Sequence, residues 1–284
     1  MSMPMEIITE TTELERTGFK WRERDHVRAL SCLALERDGF TNGFSTRMGG
    51  TSPMPQDALN LAGFNEDAAE NIHENRRRFL RLFDGDWALA AVWQMHSADV
   101  RVVRDKEDAR SDEERCDALT TDAPGVLLAV KSADCVPVII GDSRTGACAA
   151  IHAGWRGTVA RIVERTIERM KEQYGTKAED LRAAIGPAAG ACCYEVGAEV
   201  IEAFRSGFED ADSLFNHTRE GHALIDLQRA NRSQLIHSGV PADRVHTAPF
   251  CTMCRTDLFF SYRREKSVHG RVGRLMSVIG RNKD

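Results

Sequence analysis

No window of this 284-residue chain approaches the roughly 18 to 20 consecutive apolar residues that a membrane-spanning helix needs. Its opening, MSMPMEIITETTELERTGFKWRERD, is acidic and polar where an export signal would need a basic start followed by an apolar run. These two absences predict a cytoplasmic protein with no membrane partner. Positive charge is not in excess either: 38 Lys and Arg against 43 Asp and Glu leave a net charge of −5, with the basic residues scattered. A general attraction to nucleic acid is thereby excluded. Internal repeats, low-complexity tracts and Pro/Gly/Ser-rich linkers are also missing, so one domain over residues 1–284 is expected, with residues 1–25 loosely attached.

Cysteine, by contrast, is plentiful. Eight cysteines in a small secreted chain would suggest a disulfide framework, but this chain is long, lacks an export signal and is 42% hydrophobic. Free thiols are expected, each serving as core filler, metal ligand or nucleophile.

The two structural periods alternate along the chain. AAVWQMHSADVRVV, GVLLAVKSADCVPVIIGD and GACAAIHAG are short, rich in Val and Ile and punctuated by Gly, Asp and Pro, which predicts strands. TVARIVERTIERMKEQYG sets Val159, Ile162, Val163, Thr166, Ile167 and Met170 at helical spacing before a stop at Gly175. VGAEVIEAFRSGF and LIDLQRANRSQLIHSGV read as two further amphipathic helices, while RDKEDARSDEERCDALTTDAPG reads as a charged surface loop or short helix. The expected fold class is α+β, an α/β layered arrangement of mixed sheets covered by helices.

Three residues stand at expected strand ends in mid-chain: His96 in QMHSADV, Cys135 in SADCVPV and His152 in IHAGWRG. If their strands are neighbours, two imidazoles and a thiolate make a good zinc set, and three ligands leave a fourth position open. The other reading is a turn-capping His96, a small buried Cys135 and a hydrogen-bonded core His152. No C-x-x-C or H-E-x-x-H motif decides between them.

A second constellation is FSTRMGGTS followed by LNLAGF. Ser45 and Arg47, with Asn60 as companion, offer donors suited to a phosphate or a ribose hydroxyl, and Gly49 and Gly50 permit close backbone approach. Alternatively it is a strand-linking turn with a solvated arginine. In GWRGT, Gly154 and Gly157 allow a sharp turn after His152, and Arg156 either binds phosphate or pairs with a nearby carboxylate. PFCTMC carries Cys251 and Cys254 at the spacing of a deaminase zinc motif, but Phe250 separates Pro249 from Cys251 and no H-x-E precedes it. Packing is its default reading, with a structural metal or redox pair as the alternative. The adjacent Cys192 and Cys193 read as structural.

The segments FSTRMGG, LNLAGF, QMHSADV, KSADCVPV, IHAGWRGT, AAIGPAAGACCYEVG and FFSYRR, in this order, resemble the YfiH-like laccase-domain family, also called polyphenol oxidases or peptidoglycan editing factors. The resemblance covers nearly the whole chain, from about Phe44 to Gly280. It implies a purine nucleoside phosphorylase that cleaves adenosine, inosine and related nucleosides with phosphate, and deaminates adenosine. It also implies zinc held by His96, Cys135 and His152, and the same matching favours a binding role for Arg47. His73, Asp134 and His269 are candidates for the acid that protonates the departing purine only by their chemistry. Self-association of the chain is left open.

The family's fold is similar to that of certain cysteine hydrolases, so a Cys135–His152 nucleophile pair acting as an amidase on peptidoglycan precursors is the rival reading. A copper-dependent polyphenol oxidase is another. Nine histidines, no two of them separated by one residue, do not suit a four-copper oxidase centre, although copper competes well for any N,N,S site.

Overall fold

The computed structural model describes residues 11–54, 56–62, 67–111 and 114–282. The chain opens with α1 (Thr11–Arg16), β1 (Phe19–Arg24), β2 (Val27–Cys32), α2 (Leu33–Arg37), β3 (Phe40–Ser45), β4 (Met48–Ser52) and α3 (Ala69–Leu80). Six strands follow: β5 (Ala88–Ala90), β6 (Val100–Val102), β7 (Ala118–Thr121), β8 (Val126–Ser132), β9 (Val136–Asp142) and β10 (Cys148–Ala153). Next come α4 (Trp155–Val159), α5 (Ile162–Tyr174), β11 (Leu181–Ile185), β12 (Glu195–Gly197), α6 (Ala198–Gly207), β13 (Phe215–Arg219) and β14 (His222–Ile225). The chain closes with α7 (Leu227–His237), β15 (Val245–Thr247), α8 (Tyr262–His269) and β16 (Leu275–Arg281).

The long apolar runs are explained by burial on both faces. Along β8, Val126, Leu128 and Val130 enter one core while Leu127 and Ala129 enter another, and all five are fully buried. Along β9 and β10 the same alternation sends Ile139, Cys148 and Ala150 to the core shared with β8, and Val138, Ile140, Ala149 and Ile151 to a third core. A strand covered on both sides reads as continuous hydrophobicity.

Two mixed sheets result, β1–β2–β3–β16–β8–β5 and β15–β11–β9–β10–β7–β6, with a small third sheet β12–β14–β13. They are mixed because β5/β8, β6/β7 and β11/β15 pair in parallel while the remaining pairs are antiparallel. The two large sheets face one another across Phe44, Leu128, Val130, Ile139, Ala150 and Ile279. Phe79 of α3 covers the outer face of the first, with Leu82 and Phe83. Helices α5, α6 and α7 cover the outer face of the second, through Ile162, Ile167, Met170, Ile201, Phe204 and Leu235. The layered α+β class expected from the alternating periods is what the structure has.

Several local expectations need correction. AAVWQMHSADVRVV is not one strand: β5 lies in the first sheet and β6 in the second, and residues 91–99 cross between them with His96 at φ 59°. KSADCVPV makes the same crossing, from β8 to β9, with Asp134 at φ 85°. The helix expected from Thr158 onward is broken at Arg161, which adopts φ 63° and sends its guanidinium to the carbonyl of Gly207 and to Glu164. CDALTT, grouped with the charged loop, contributes β7. The stretch expected to be loose is packed from Leu14 onward: Leu14 and Phe19 are buried and β1 pairs with β2, while residues 1–10 lie outside the described residues. Among the described residues no helix is long and apolar enough to cross a membrane.

Candidate metal centre and active site

The two crossings between sheets end at the same place. The ligand atoms of His96, Cys135 and His152 lie within 4.8 Å of one another, with Cys135 Sγ 3.9 Å from His96 Nε2 and the two imidazole centroids 5.0 Å apart. His152 is buried, Cys135 half-buried and His96 exposed, so the cluster opens to solvent on the His96 side. Strand register puts it together: β9 and β10 pair Val136 with Ala153, so the Cys135 turn lies beside the end of β10. Cys135 and His152 thus flank neighbouring strands as the spacing suggested, while His96 arrives on a loop.

Asp117 assembles the cluster, and sequence reasoning missed it. It precedes β7 and is fully buried opposite His152, whose backbone N–H donates to the Asp117 carbonyl at 2.7 Å. Asp117 Oδ1 lies 2.8 Å from His152 Nδ1, and Oδ2 accepts from the backbone N–H of Met95 at 3.0 Å and of Ser97 at 2.7 Å, with Ser97 Oγ at 3.0 Å. One carboxylate therefore orients His152 and clamps the turn on both sides of His96. With Nδ1 engaged by Asp117, Nε2 is the ring nitrogen left for the cluster. An acid at the head of an apolar strand was the only available signal, and the surrounding charged residues hid it.

The charges in the cluster reinforce each other. Burial opposes ionisation of Cys135, but the facing His152 and His96 outweigh it and bring the thiol below its ordinary range. Burial likewise opposes charging of His152, and Cys135 and Asp117 raise it in spite of that. Asp117 is held at about 2: burial pushes it up, and His152 and the Ser97 and Met95 N–H groups bring it down further. Gly154 is required for space, not for turning, because its φ is −69°. A Cβ there would lie 2.9 Å from His96 Cδ2 and 3.1 Å from Cys135 Sγ. Gly157 is similar, its Cβ position being 2.9 Å from the Ser97 carbonyl.

Asp134, a candidate acid by chemistry, is fully engaged. Oδ1 accepts from Thr252 Oγ1 at 2.6 Å, and Oδ2 from Ser261 Oγ at 3.0 Å and the Arg263 N–H at 2.7 Å. It thereby ties the turn carrying Cys135 to the 249–263 segment. Arg263 lies over the Tyr194 ring at 5.1 Å, and burial together with the nearby Cys135 pushes the Tyr194 phenol up. Arg156 remains exposed on α4, stacked on Trp155 at 4.2 Å, with Glu199 at 3.6 Å. His73 is exposed on α3, and His269 lines a different cleft.

FSTRMGGTS is used architecturally. Ser45 Oγ accepts from Met276 N at 2.9 Å, and Thr51 and Ser52 hold Asn75 of α3. Asn60 is fully buried, its Oδ1 taking the N–H groups of Ala62 and Arg274. Arg47 is 9% exposed and donates to Thr256 O, Met54 O and Glu265 while stacking on Phe260 at 4.5 Å. It borders a cleft of about 650 Å³ with Thr256, Arg264, Glu265 and His269. None of His96, Cys135 and His152 lines that cleft, and among the described residues no hydrogen bond or ion pair joins Ser45, Arg47 or Asn60 to the cluster.

The family model described as "Multi-copper polyphenol oxidoreductase laccase" matches residues 41–282. The chain is 38% identical over 236 residues to a purine nucleoside phosphorylase of Bacteroides thetaiotaomicron, covering 80% of this chain and 87% of that one. It is 40% identical over 260 residues to adenosine deaminase RL5 of an unknown prokaryotic organism, covering 89% and 94%. In structure it is similar to the hypothetical protein YfiH of Bacillus licheniformis, with a TM-score of 0.84 at 31% identity over 93% of this chain and 99% of that one. Two sheets meeting at a His-Cys-His cluster, a family match over most of the length and relatives of this similarity lead to one conclusion: the chain belongs to the YfiH-like laccase-domain family.

Proposed function

We propose that this chain is a zinc-dependent purine nucleoside phosphorylase that also deaminates adenosine. The observation that carries this reading is the approach of His96 Nε2, Cys135 Sγ and His152 within 4.8 Å of one another, in a chain 38–40% identical to proteins bearing those two names. The donor set suits zinc. Bonds of about 2.0–2.3 Å in a tetrahedron put N and S about 3.5 Å apart, a few tenths of an ångström below the 3.9 Å between Cys135 and His96. Zinc bound there supplies a Lewis acid with one open position.

The chain's own residues do the rest. Asp117 fixes the His152 tautomer and the His96 turn, and the thiolate form of Cys135 is favoured by its two imidazole neighbours. With Arg47 committed to Glu265 and two carbonyls, the phosphate is met by Arg156 and Arg263, exposed guanidiniums on the segments that frame the cluster. In phosphorolysis a phosphate oxygen bonds to C1′ as the bond to the purine breaks. In deamination water adds at C6 and ammonia leaves.

A second reading rests on the same geometry: Cys135, His152 and Asp117 stand as nucleophile, base and orienting acid, the arrangement of a cysteine hydrolase. Product analysis separates the two. Adenosine should yield ribose 1-phosphate only with phosphate present and inosine without it, and Arg156→Ala with Arg263→Ala should raise the KM for phosphate about tenfold or more. Activity that persists without metal, and is stopped by alkylation of Cys135, would replace the phosphorylase with the hydrolase.

A further inference from the structure

Four cysteines outside this site converge from two distant segments. The Sγ atoms of Cys192, Cys193, Cys251 and Cys254 all lie within 4.8 Å of one another, with Cys192 3.5 Å and Cys193 3.3 Å from Cys254. We propose that they hold one structural zinc ion, a second metal site separate from the His96–Cys135–His152 cluster. The separations suit neither of the alternatives. A disulfide would bring two sulfurs to about 2.05 Å, and all four are free thiols. A polynuclear iron–sulfur cluster would hold its thiolates further apart than one ion does. Four zinc–sulfur bonds of about 2.3 Å in a tetrahedron give edges of about 3.8 Å, inside the observed range.

The surroundings are built for thiolates. Gly190 donates its N–H to Cys251 Sγ at 3.2 Å, and a Cβ on Gly190 would lie 3.2 Å from Cys251 Cβ and 3.4 Å from Cys192 Sγ. Arg264 Nη2 stands 3.8 Å from Cys193 Sγ, a positive charge beside a site that carries a net charge of about −2 when four thiolates bind one Zn²⁺. Four protein ligands leave no open position, which marks a structural rather than a catalytic ion.

What the ion would hold is the support of Cys135. Between Cys251 and Cys254, Thr252 donates its N–H to Ala188 O at 2.9 Å and its hydroxyl to Asp134 at 2.6 Å. Ala189 N–H donates to Asp134 O at 2.9 Å. The four thiolates therefore fasten the turn before β12 to the turn after β15, on either side of the residue preceding Cys135.

The test uses the full chain purified without added metal. Zinc content by mass spectrometry should be about two ions per chain, about one in Cys135→Ala, and about one in Cys192→Ser/Cys254→Ser. X-ray absorption of the zinc retained by Cys135→Ala should show sulfur neighbours alone at about 2.3 Å. That variant leaves the four cysteines untouched, so its loss of nucleoside turnover with one zinc retained separates this site from the first. The proposal is overturned by zinc-free Cys135→Ala protein that is folded by circular dichroism. Mixed nitrogen and sulfur neighbours in it, or a disulfide among these four cysteines in the native wild-type chain, would overturn it equally.

Discussion

Replacing Asp117 by Asn changes one buried atom and should dismantle the metal centre. The carboxylate receives four donors: His152 Nδ1 on one oxygen, and the N–H groups of Met95 and Ser97 with Ser97 Oγ on the other. An asparagine of the same shape has only one oxygen. If its amide NH₂ faces His152, the proton moves to Nε2 and the ring can no longer offer that nitrogen to a metal. If the NH₂ faces the loop, two backbone donors beside His96 lose their acceptor, at about 1–3 kcal/mol for each buried group. Both arrangements also remove the negative charge that raises His152. Loss of such an outer partner weakens metal affinity about 10–100-fold, or about 1.4–2.7 kcal/mol. Zinc competition against a chromophoric chelator would measure this directly, with urea unfolding of the metal-free protein for the stability component. Wild-type zinc affinity in Asp117→Asn would refute the role assigned to this carboxylate.

Gly154→Ala would place a Cβ 2.9 Å from His96 and 3.1 Å from Cys135, so zinc affinity should fall at least about tenfold while circular dichroism stays that of the wild type. Gly50→Ala meets backbone instead, 2.0 Å from the Ala58 carbonyl and 2.4 Å from Leu59 Cα, and should cost about 3 kcal/mol or more in urea unfolding without a specific effect on metal. Arg47→Lys should lower stability by about 1–3 kcal/mol by leaving acceptors around Glu265 unpaired, yet leave zinc content and the KM for phosphate unchanged. A raised KM would return Arg47 to the phosphate role its sequence context suggested.

Much of the fold was legible because it rests on local periodicity. Val136 to Asp142 and Cys148 to Ala153 read as strands since both of their faces are buried, and α5, α6 and α7 show the apolar stripe that packs on the second sheet. His96, Cys135 and His152 were legible as chemistry because their residue types stand out against apolar runs. Sheet membership was not: β8 and β9 look like one punctuated strand, and only long-range pairing assigns them to different sheets. Asp117 was hidden among solvated acids, since nothing local distinguishes a buried carboxylate from an exposed one. The contacts of Arg47 were hidden for the converse reason, as its acceptors Thr256 O and Glu265 come from more than 200 residues away. The pairing of Cys192 and Cys193 with Cys251 and Cys254 was equally invisible, because neither dipeptide nor C-x-x-C carries the other's position.

In the proposed reaction His96, Cys135 and His152 hold the metal that supports nucleoside cleavage. The most direct test of this is ribose 1-phosphate formed from adenosine and phosphate as zinc is returned to chelator-treated protein. Turnover should be absent without metal and rise with zinc until the three-residue site is filled, while Cys135→Ala forms no product at any zinc concentration. Full turnover by the metal-free wild-type chain, or by Cys135→Ala, would contradict it.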